Sequence, residues 1–270
     1  MTRQAEVLVD GLPADTVPAN DRGLLYGDGV FRTLRIVAGK PRWWDEQLAK
    51  LAEDCGRLGL AAPSSETWGR DLDRLVPPSA DGVLKLLVTR GSGVRGYMPP
   101  QGKSNRRLMD FQPIESSARP EQGLSLRVCS LRLGWQPRLA GIKHLNRLEN
   151  VLARAEWSDS EIHEGLLLDQ ADRVISGVMS NLFIWRHGRL LTPRIDRCGV
   201  AGVARARLLR LAKAQGMTVQ ETDMDLSLVF DAEEIMLTNS VMGLRRVARL
   251  EAKYWPVPVI SKCLADWLDA

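Results

Sequence analysis

Hydrophobic and polar positions change period several times along the chain, and each change marks an element. Residues 5–15, AEVLVDGLPAD, alternate and run into a Gly-Leu-Pro turn, which predicts an opening strand and hairpin. The stretch 21–44 reads as a glycine-rich loop, an alternating strand and a turn at Gly39-Lys40. Over 45–60 the period becomes helical, with Leu48, Leu51, Cys55 and Leu58 on one face, Asp45 as N-cap and Gly59 near the end. GVLKLLVTRG (82–91) is a strand that leads into the glycine-rich RGSGVRGYMPP. Further on, 124–133 reads as a strand, 144–160 as a helix beginning near Asn146, and 164–193 as three short strands. Residues 202–216 form an amphipathic helix, 233–247 a strand and loop, and 261–270 a closing helix.

Strands and helices mix without regular βαβ alternation, so the expected fold class is α+β. The polar, proline-containing stretch 110–123 is the place for a linker. It predicts a small N-terminal α/β domain over 1–112, a linker over 113–123, and a larger C-terminal domain over 124–270.

Composition narrows the function classes. The formal net charge is +4 over 270 residues. The arginines are scattered along the chain, whereas a nucleic-acid surface gathers its cations on one face. Cys55, Cys129, Cys198 and Cys263 lie far apart, without the spacing of a zinc site or a disulfide framework. No run of about 18 apolar residues occurs, and the N-terminus lacks a signal-peptide core. A cytoplasmic protein acting on a small molecule is expected, with no metal, membrane or nucleic-acid partner.

The glycine-rich pieces match neither a Walker loop nor a GxGxxG fingerprint. GIKHLNRLENVLAR is more informative. Lys143, beside Ile142 and Leu145, can be partly desolvated, which favours the neutral amine that a Schiff-base lysine needs. His144 reads as a structural group. GVAGVARARLL places glycines before a helix, where free N–H groups and the dipole suit a phosphate. LTNSV could add Thr238, Asn239 and Ser240 as donors. VISGVMSNLF (174–183) sets Ser176, Ser180 and Asn181 in an apolar run, as strands beside a bound ligand do. Together these features point to pyridoxal phosphate.

DRGLLYGDGVFRTLR, TRGSGVRGY, LAGIKHLNRLENVLAR, SNLF, LTPRIDRCGVAGVAR and TNSVMGLRRV follow one another in an order that resembles the 4-amino-4-deoxychorismate lyases. These are a branch of the fold type IV pyridoxal-phosphate enzymes, alongside branched-chain and D-amino acid aminotransferases. The resemblance implies a two-domain homodimer with the cofactor between the domains, and elimination of pyruvate to leave 4-aminobenzoate, a folate precursor. By motif, Lys143 matches the cofactor lysine and Thr33 the threonine near the reacting carbon. Tyr26, Arg95 and Tyr97 match substrate-binding positions. Lys50, Ser176, Val203, Ala204, Asn239 and Ser240 match positions that hold the cofactor.

Two positions depart from the family pattern. Ser176 stands where a glutamate faces the pyridine nitrogen, so a neutral hydroxyl replaces the group that keeps the ring protonated. Lys50 replaces an arginine that grips the phosphate, and Gln47 a histidine; lysine keeps the charge but loses the fork. Elimination with aromatisation needs less of the electron sink than transamination. A lyase, a chorismate-derivative enzyme without the cofactor, and an aminotransferase all stay open. Arg32, Arg245 and Arg246 would add cations suited to a dianionic substrate.

Overall fold

Alternation in the N-terminal stretch closes into a six-stranded antiparallel sheet. A computed structural model describes residues 6–93, 95–100, 105–114 and 123–269. The chain divides into two units, Met1–Ala118 with Lys143–Asn146, and Arg119–Ile142 with Arg147–Ala270.

The first unit contains β1 (Glu6–Val9), β2 (Leu12–Pro13), α1 (Arg22–Tyr26), β3 (Gly29–Val37), β4 (Lys40–Pro41), α2 (Trp44–Arg57), α3 (Ser65–Leu75), β5 (Gly82–Thr89) and β6 (Arg106–Pro113). Its sheet order is β2-β1-β6-β5-β3-β4. Period-two alternation sends Val30, Leu34, Ile36, Leu84, Leu86, Val88 and Met109 to one face, all fully buried. α2 packs on β3, and α3 on β1 and β6. Each such aliphatic side chain contributes about 1.5–3 kcal/mol by leaving water.

Local readings change in three places. The loop at 21–27 contains α1, whose N-cap Asp21 accepts from the Gly23 N–H and whose C-cap Gly27 has φ 63°. Trp43, not Asp45, caps α2, in the left-handed region and without a side-chain bond; Asp45 lies in the first turn, where it complements the dipole. Residues 110–113 are strand, paired with Gly82–Lys85, so the linker begins later than the prolines suggest. Its span at 115–122 lies outside the described residues.

The second unit contains β7 (Leu124–Leu133), α4 (Leu148–Arg154), β8 (Glu164–Asp169), β9 (Val174–Gly177), β10 (Asn181–Arg186), β11 (Arg189–Pro193), α5 (Val203–Ala214), β12 (Thr218–Thr222), α6 (Leu226–Phe230), β13 (Glu234–Asn239), β14 (Gly243–Leu250), β15 (Lys253–Tyr254) and α7 (Ser261–Asp269). The strands run β12-β11-β10-β13-β14-β7-β8-β9, with β15 on β14. β7 is parallel to both neighbours. One side buries Leu126, Leu166, Leu168, Leu182, Ile184, Leu237 and Val247. The other buries Cys129, Leu167, Ile175 and Cys198. Residues 164–193 give four strands in place of three, because 178–180 interrupt the apolar run. The helix after Lys143 starts at Leu148, later than Asn146.

Asp169, fully buried at the end of β8, holds the β8–β9 hairpin. It accepts from Trp135 Nε1 (2.9 Å), Arg173 Nε (2.8 Å) and the Ala171 and Arg173 N–H groups. Burial alone would raise its pKa; the Arg173 and Trp135 bonds outweigh that and hold the carboxyl below its ordinary value. A depressed carboxylate stabilises the fold above its unfolded pKa and loses that effect as pH falls through the folded one. Asp169→Asn is therefore expected to cost about 3 kcal/mol at pH 7, the scale for breaking a buried ion pair. The difference from wild type should shrink below about pH 4, where the unfolded carboxyl takes up its proton. Denaturant melts at pH 7 and pH 3.5 check this.

Candidate active site

Lys143 reaches the first unit as an added piece of strand. β4 pairs only with Ile36 and Val37 at the far end of β3. At the near end, the Phe31 N–H donates to the Lys143 carbonyl (2.9 Å) and the Leu145 N–H to the Gly29 carbonyl (3.0 Å). Asn146 Nδ2 closes the join on the Gly27 carbonyl at 3.1 Å. The lysine read as part of a C-terminal domain thus clusters with the N-terminal unit, because main-chain pairing carries it there.

β3 then sorts its side chains by face. Arg32 points with Leu34 into the buried side, while Phe31 and Thr33 occupy the other. The Lys143 amine lies 4.4 Å from the centre of the Phe31 ring. A second amine, Lys85, lies 5.4 Å from the same ring and stands opposite Thr33 in register. Two amines beside one half-buried aromatic ring leave positive charge available for an anionic ligand. Sequence reasoning missed Lys85, whose only signal is a cation at an alternating position of an apolar strand.

Tyr26 and Tyr97 are also brought together in this unit, and Arg95 lies on the exposed loop just before Gly96 and Tyr97. The Tyr26 and Tyr97 rings are 5.4 Å apart. Buried Arg22 grips the loop, donating to the Gly96 (2.8 Å) and Tyr97 (3.0 Å) carbonyls, and it stacks on Tyr26.

Lys50 and Arg32 both meet carboxylates of α2. The Lys50 ammonium is 2.6 Å from Glu53 Oε1 and 3.0 Å from Asp54 Oδ1, one helical turn away. Arg32 pairs with Asp54 Oδ2 on the buried side of the sheet. Burial pushes the guanidinium pKa down and the Asp54 charge opposes that shift. Arg32 is therefore an internal ion-pair partner, not an exposed cation for a substrate. Arg246 donates to the Trp255 carbonyl.

In the second unit the small polar residues of VISGVMSNLF divide their work. Ser176, on β9 opposite Leu167, is buried, and its hydroxyl has no hydrogen bond among the described residues. Ser180 Oγ instead donates to Glu164 Oε2 (3.1 Å), which also accepts from the Met179 N–H. Burial raises the Glu164 pKa, against the pull of the Gly165, Val178, Met179 and Ser180 bonds. Sequence inspection passed over Glu164 as a strand start. Asn181 Nδ2 donates to the Val200 carbonyl, and its Oδ1 accepts from the Gly202 N–H at 3.1 Å.

That last bond fixes the entry to α5. Gly202 is the N-cap, α5 has no side-chain cap, and its first turn carries no acid. The amides of Val203 and Ala204 thus begin a 12-residue helix in the arrangement that suits a phosphate. Asn239 spends its amide on structure, accepting from the Val241 and Met242 N–H groups and donating to the Met179 carbonyl. It shapes the turn that carries Ser240. Among the described residues no group of three or more His, Cys, Asp or Glu could hold a metal. Burial raises the Cys55, Cys129 and Cys198 thiols to about 12, so they stay protonated. Among the described residues no helix is long and apolar enough to cross a membrane.

The amino-transferase class IV pattern matches residues 29–250. The chain belongs to the class IV aminotransferase family. An aminodeoxychorismate lyase of Vibrio harveyi is 34% identical over 90% of this chain and 91% of that protein. The 4-amino-4-deoxychorismate lyase structure from Pseudomonas aeruginosa is 45% identical, with a TM-score of 0.91 and 97% of each chain covered. A hypothetical aminotransferase from Mycobacterium tuberculosis in a PLP-bound form shares the fold at 21% identity, with a TM-score of 0.82 over 98% of each chain. Membership in the class IV family makes the mixed α/β architecture that of the fold type IV enzymes.

Proposed function

We propose that the chain is a pyridoxal-phosphate-dependent carbon–oxygen lyase that removes pyruvate from 4-amino-4-deoxychorismate to leave 4-aminobenzoate. The likeness to the Pseudomonas lyase over nearly the whole of both chains carries this reading. Each unit, taken by itself, offers groups that fit the cofactor: the first an amine at Lys143 for the aldehyde, the second the uncapped start of α5 behind Gly202 for a phosphate. A Cβ added at Gly202 would lie 2.3 Å from Asn181 Oδ1, so that lead-in has room only for glycine.

When bound, pyridoxal phosphate supplies an electron sink for the carbon that bears the substrate amine. Lys143 Nζ would hold the cofactor aldehyde, and as a free amine it would serve as the base for the proton on that carbon. Thr33 and Lys85 line the same face of the sheet as Phe31, where a carboxylate or ether oxygen can be received. Tyr26 and Tyr97 stand against each other, and Arg95, on the same loop as Tyr97, supplies a cation for a carboxylate. Ser176 offers a neutral hydroxyl to the ring nitrogen. That favours a lyase over an aminotransferase, because aromatisation of the product drives elimination without a protonated ring.

The test is direct. Purified protein with pyridoxal phosphate should release pyruvate and 4-aminobenzoate in equal amounts from aminodeoxychorismate; release of neither overturns the reading. Ser176→Glu should raise half-transamination of amino acids about tenfold or more. It should also destabilise the cofactor-free protein, because it places a carboxylate on a buried position opposite Leu167. Unchanged transamination would overturn the electron-sink account of Ser176. The same reading carries a homodimer, expected as a particle of twice the 30.0 kDa chain mass in sedimentation.

A further inference from the structure

Asp54 is the most enclosed charged group of the first unit. It sits on α2 with 0% exposure and gathers two hydrogen-bond donors and one further cation. Arg32 of β3 meets Oδ2, Lys50 ion-pairs with Oδ1 at 3.0 Å, and the main-chain N–H of Lys143 donates to Oδ2 at 3.1 Å. The first two contacts satisfy charge. The third contributes no charge pairing and has a separate consequence: it fixes the backbone from which the Lys143 side chain leaves toward Phe31. The strand pairing at 143–145 uses the Lys143 carbonyl and the Leu145 N–H. Asp54 takes the Lys143 N–H, so both main-chain polar groups of this lysine are held.

We propose that Asp54 is a positioning residue for Lys143: its carboxylate, itself held by Arg32 and Lys50, sets the main chain of the lysine so that the amine stands over Phe31. This rests on the reading of Lys143 as the cofactor lysine. A carboxylate anchored by two cations is a stiffer acceptor than a water-exposed one, and charge-assisted bonds to N–H are the stronger kind. A small backbone error at a reacting group is costly, since a misplacement of about 1 Å is worth on the order of a hundredfold in rate.

Two measurements on the full chain decide the matter. In the wild-type protein, amide hydrogen exchange at Lys143 should be at least a hundredfold slower than in an exposed loop; exchange at loop rates overturns the proposal. Cofactor-free protein is then mixed with pyridoxal 5′-phosphate. The rate of the near-visible absorbance band is followed, and the borohydride-fixed mass is located on the Lys143 peptide. Asp54→Asn and the paired variant Arg32→Met/Asp54→Leu are compared, the second removing both buried charges together so that neither is orphaned. In whichever variant keeps a wild-type circular dichroism spectrum and cooperative melt, attachment at Lys143 should be at least tenfold slower. Attachment at the wild-type rate in a folded variant overturns the positioning role and leaves the cofactor reading standing. A wild-type protein that forms no Lys143 adduct overturns both. If neither variant folds, the exchange rate of the wild-type amide decides alone.

Discussion

Replacing Lys143 with alanine is expected to abolish pyruvate release, lowering turnover by at least about a thousandfold, while leaving the fold intact. The size follows from losing both the covalent attachment point and the base in one atom; general-base catalysis alone contributes on the order of a hundred- to ten-thousandfold. The tolerance of the fold follows from how Lys143 is held. Its carbonyl bonds to Phe31 and its N–H to Asp54, and both are main-chain groups that alanine keeps. The side chain lies over the Phe31 ring, and a cation over an aromatic face is worth about 0.5–1 kcal/mol where exposed. Melting within a few degrees of wild type, with no pyruvate and no borohydride-fixed adduct, is the expected pair of results. Residual turnover near the wild-type rate would remove Lys143 from the chemistry.

Gly202→Ala should weaken pyridoxal phosphate binding by tenfold or more. The backbone there is ordinary, with φ −72° and ψ 148°, so conformational strain plays no part. Space decides. The new methyl would lie 2.3 Å from Asn181 Oδ1, the atom that accepts the Gly202 N–H. Asn181 has little room to retreat, being buried and tied to the Val200 carbonyl at 2.8 Å. Overpacking of this kind costs about 1–3 kcal/mol, and the displaced element is the start of α5, the phosphate seat proposed above. Each 1.4 kcal/mol is tenfold in affinity. Equilibrium titration with the cofactor checks the effect; wild-type affinity in the alanine variant would place the phosphate elsewhere.

Much of this was legible in the sequence, and what was not has a common cause. Period-two and helical patterns located β3, β5, β7, α2 and α5, because those elements each turn one apolar face to a core. Lys143 stood out through its neighbours Ile142 and Leu145. The α2 stripe, however, read as Leu48, Leu51, Cys55 and Leu58, whereas the buried face also includes Gln47 and Asp54. A buried carboxylate looks like a surface one until its partners are known, and Arg32 and the Lys143 amide are distant in sequence. Arg32 was misjudged for the same reason. In VISGVMSNLF the apolar count suggested one strand, but the Glu164 carboxylate draws in the Val178 and Met179 N–H groups and breaks it in two. Ser176 lies buried on β9, while Ser180 and Asn181 proved to be internal fasteners.

The pairing of residues 143–145 with β3 has a further consequence for how this protein can be taken apart. The chain leaves the first unit, returns to it for four residues, and leaves again, so the units are not successive beads on a string. An N-terminal fragment ending before residue 143 would leave the Phe31 N–H and the Gly29 carbonyl without their partners and would carry no reactive lysine. Gene splitting or domain exchange at the single obvious linker therefore divides this protein in the wrong place; a workable transplant of the first unit has to bring along an internal tetrapeptide.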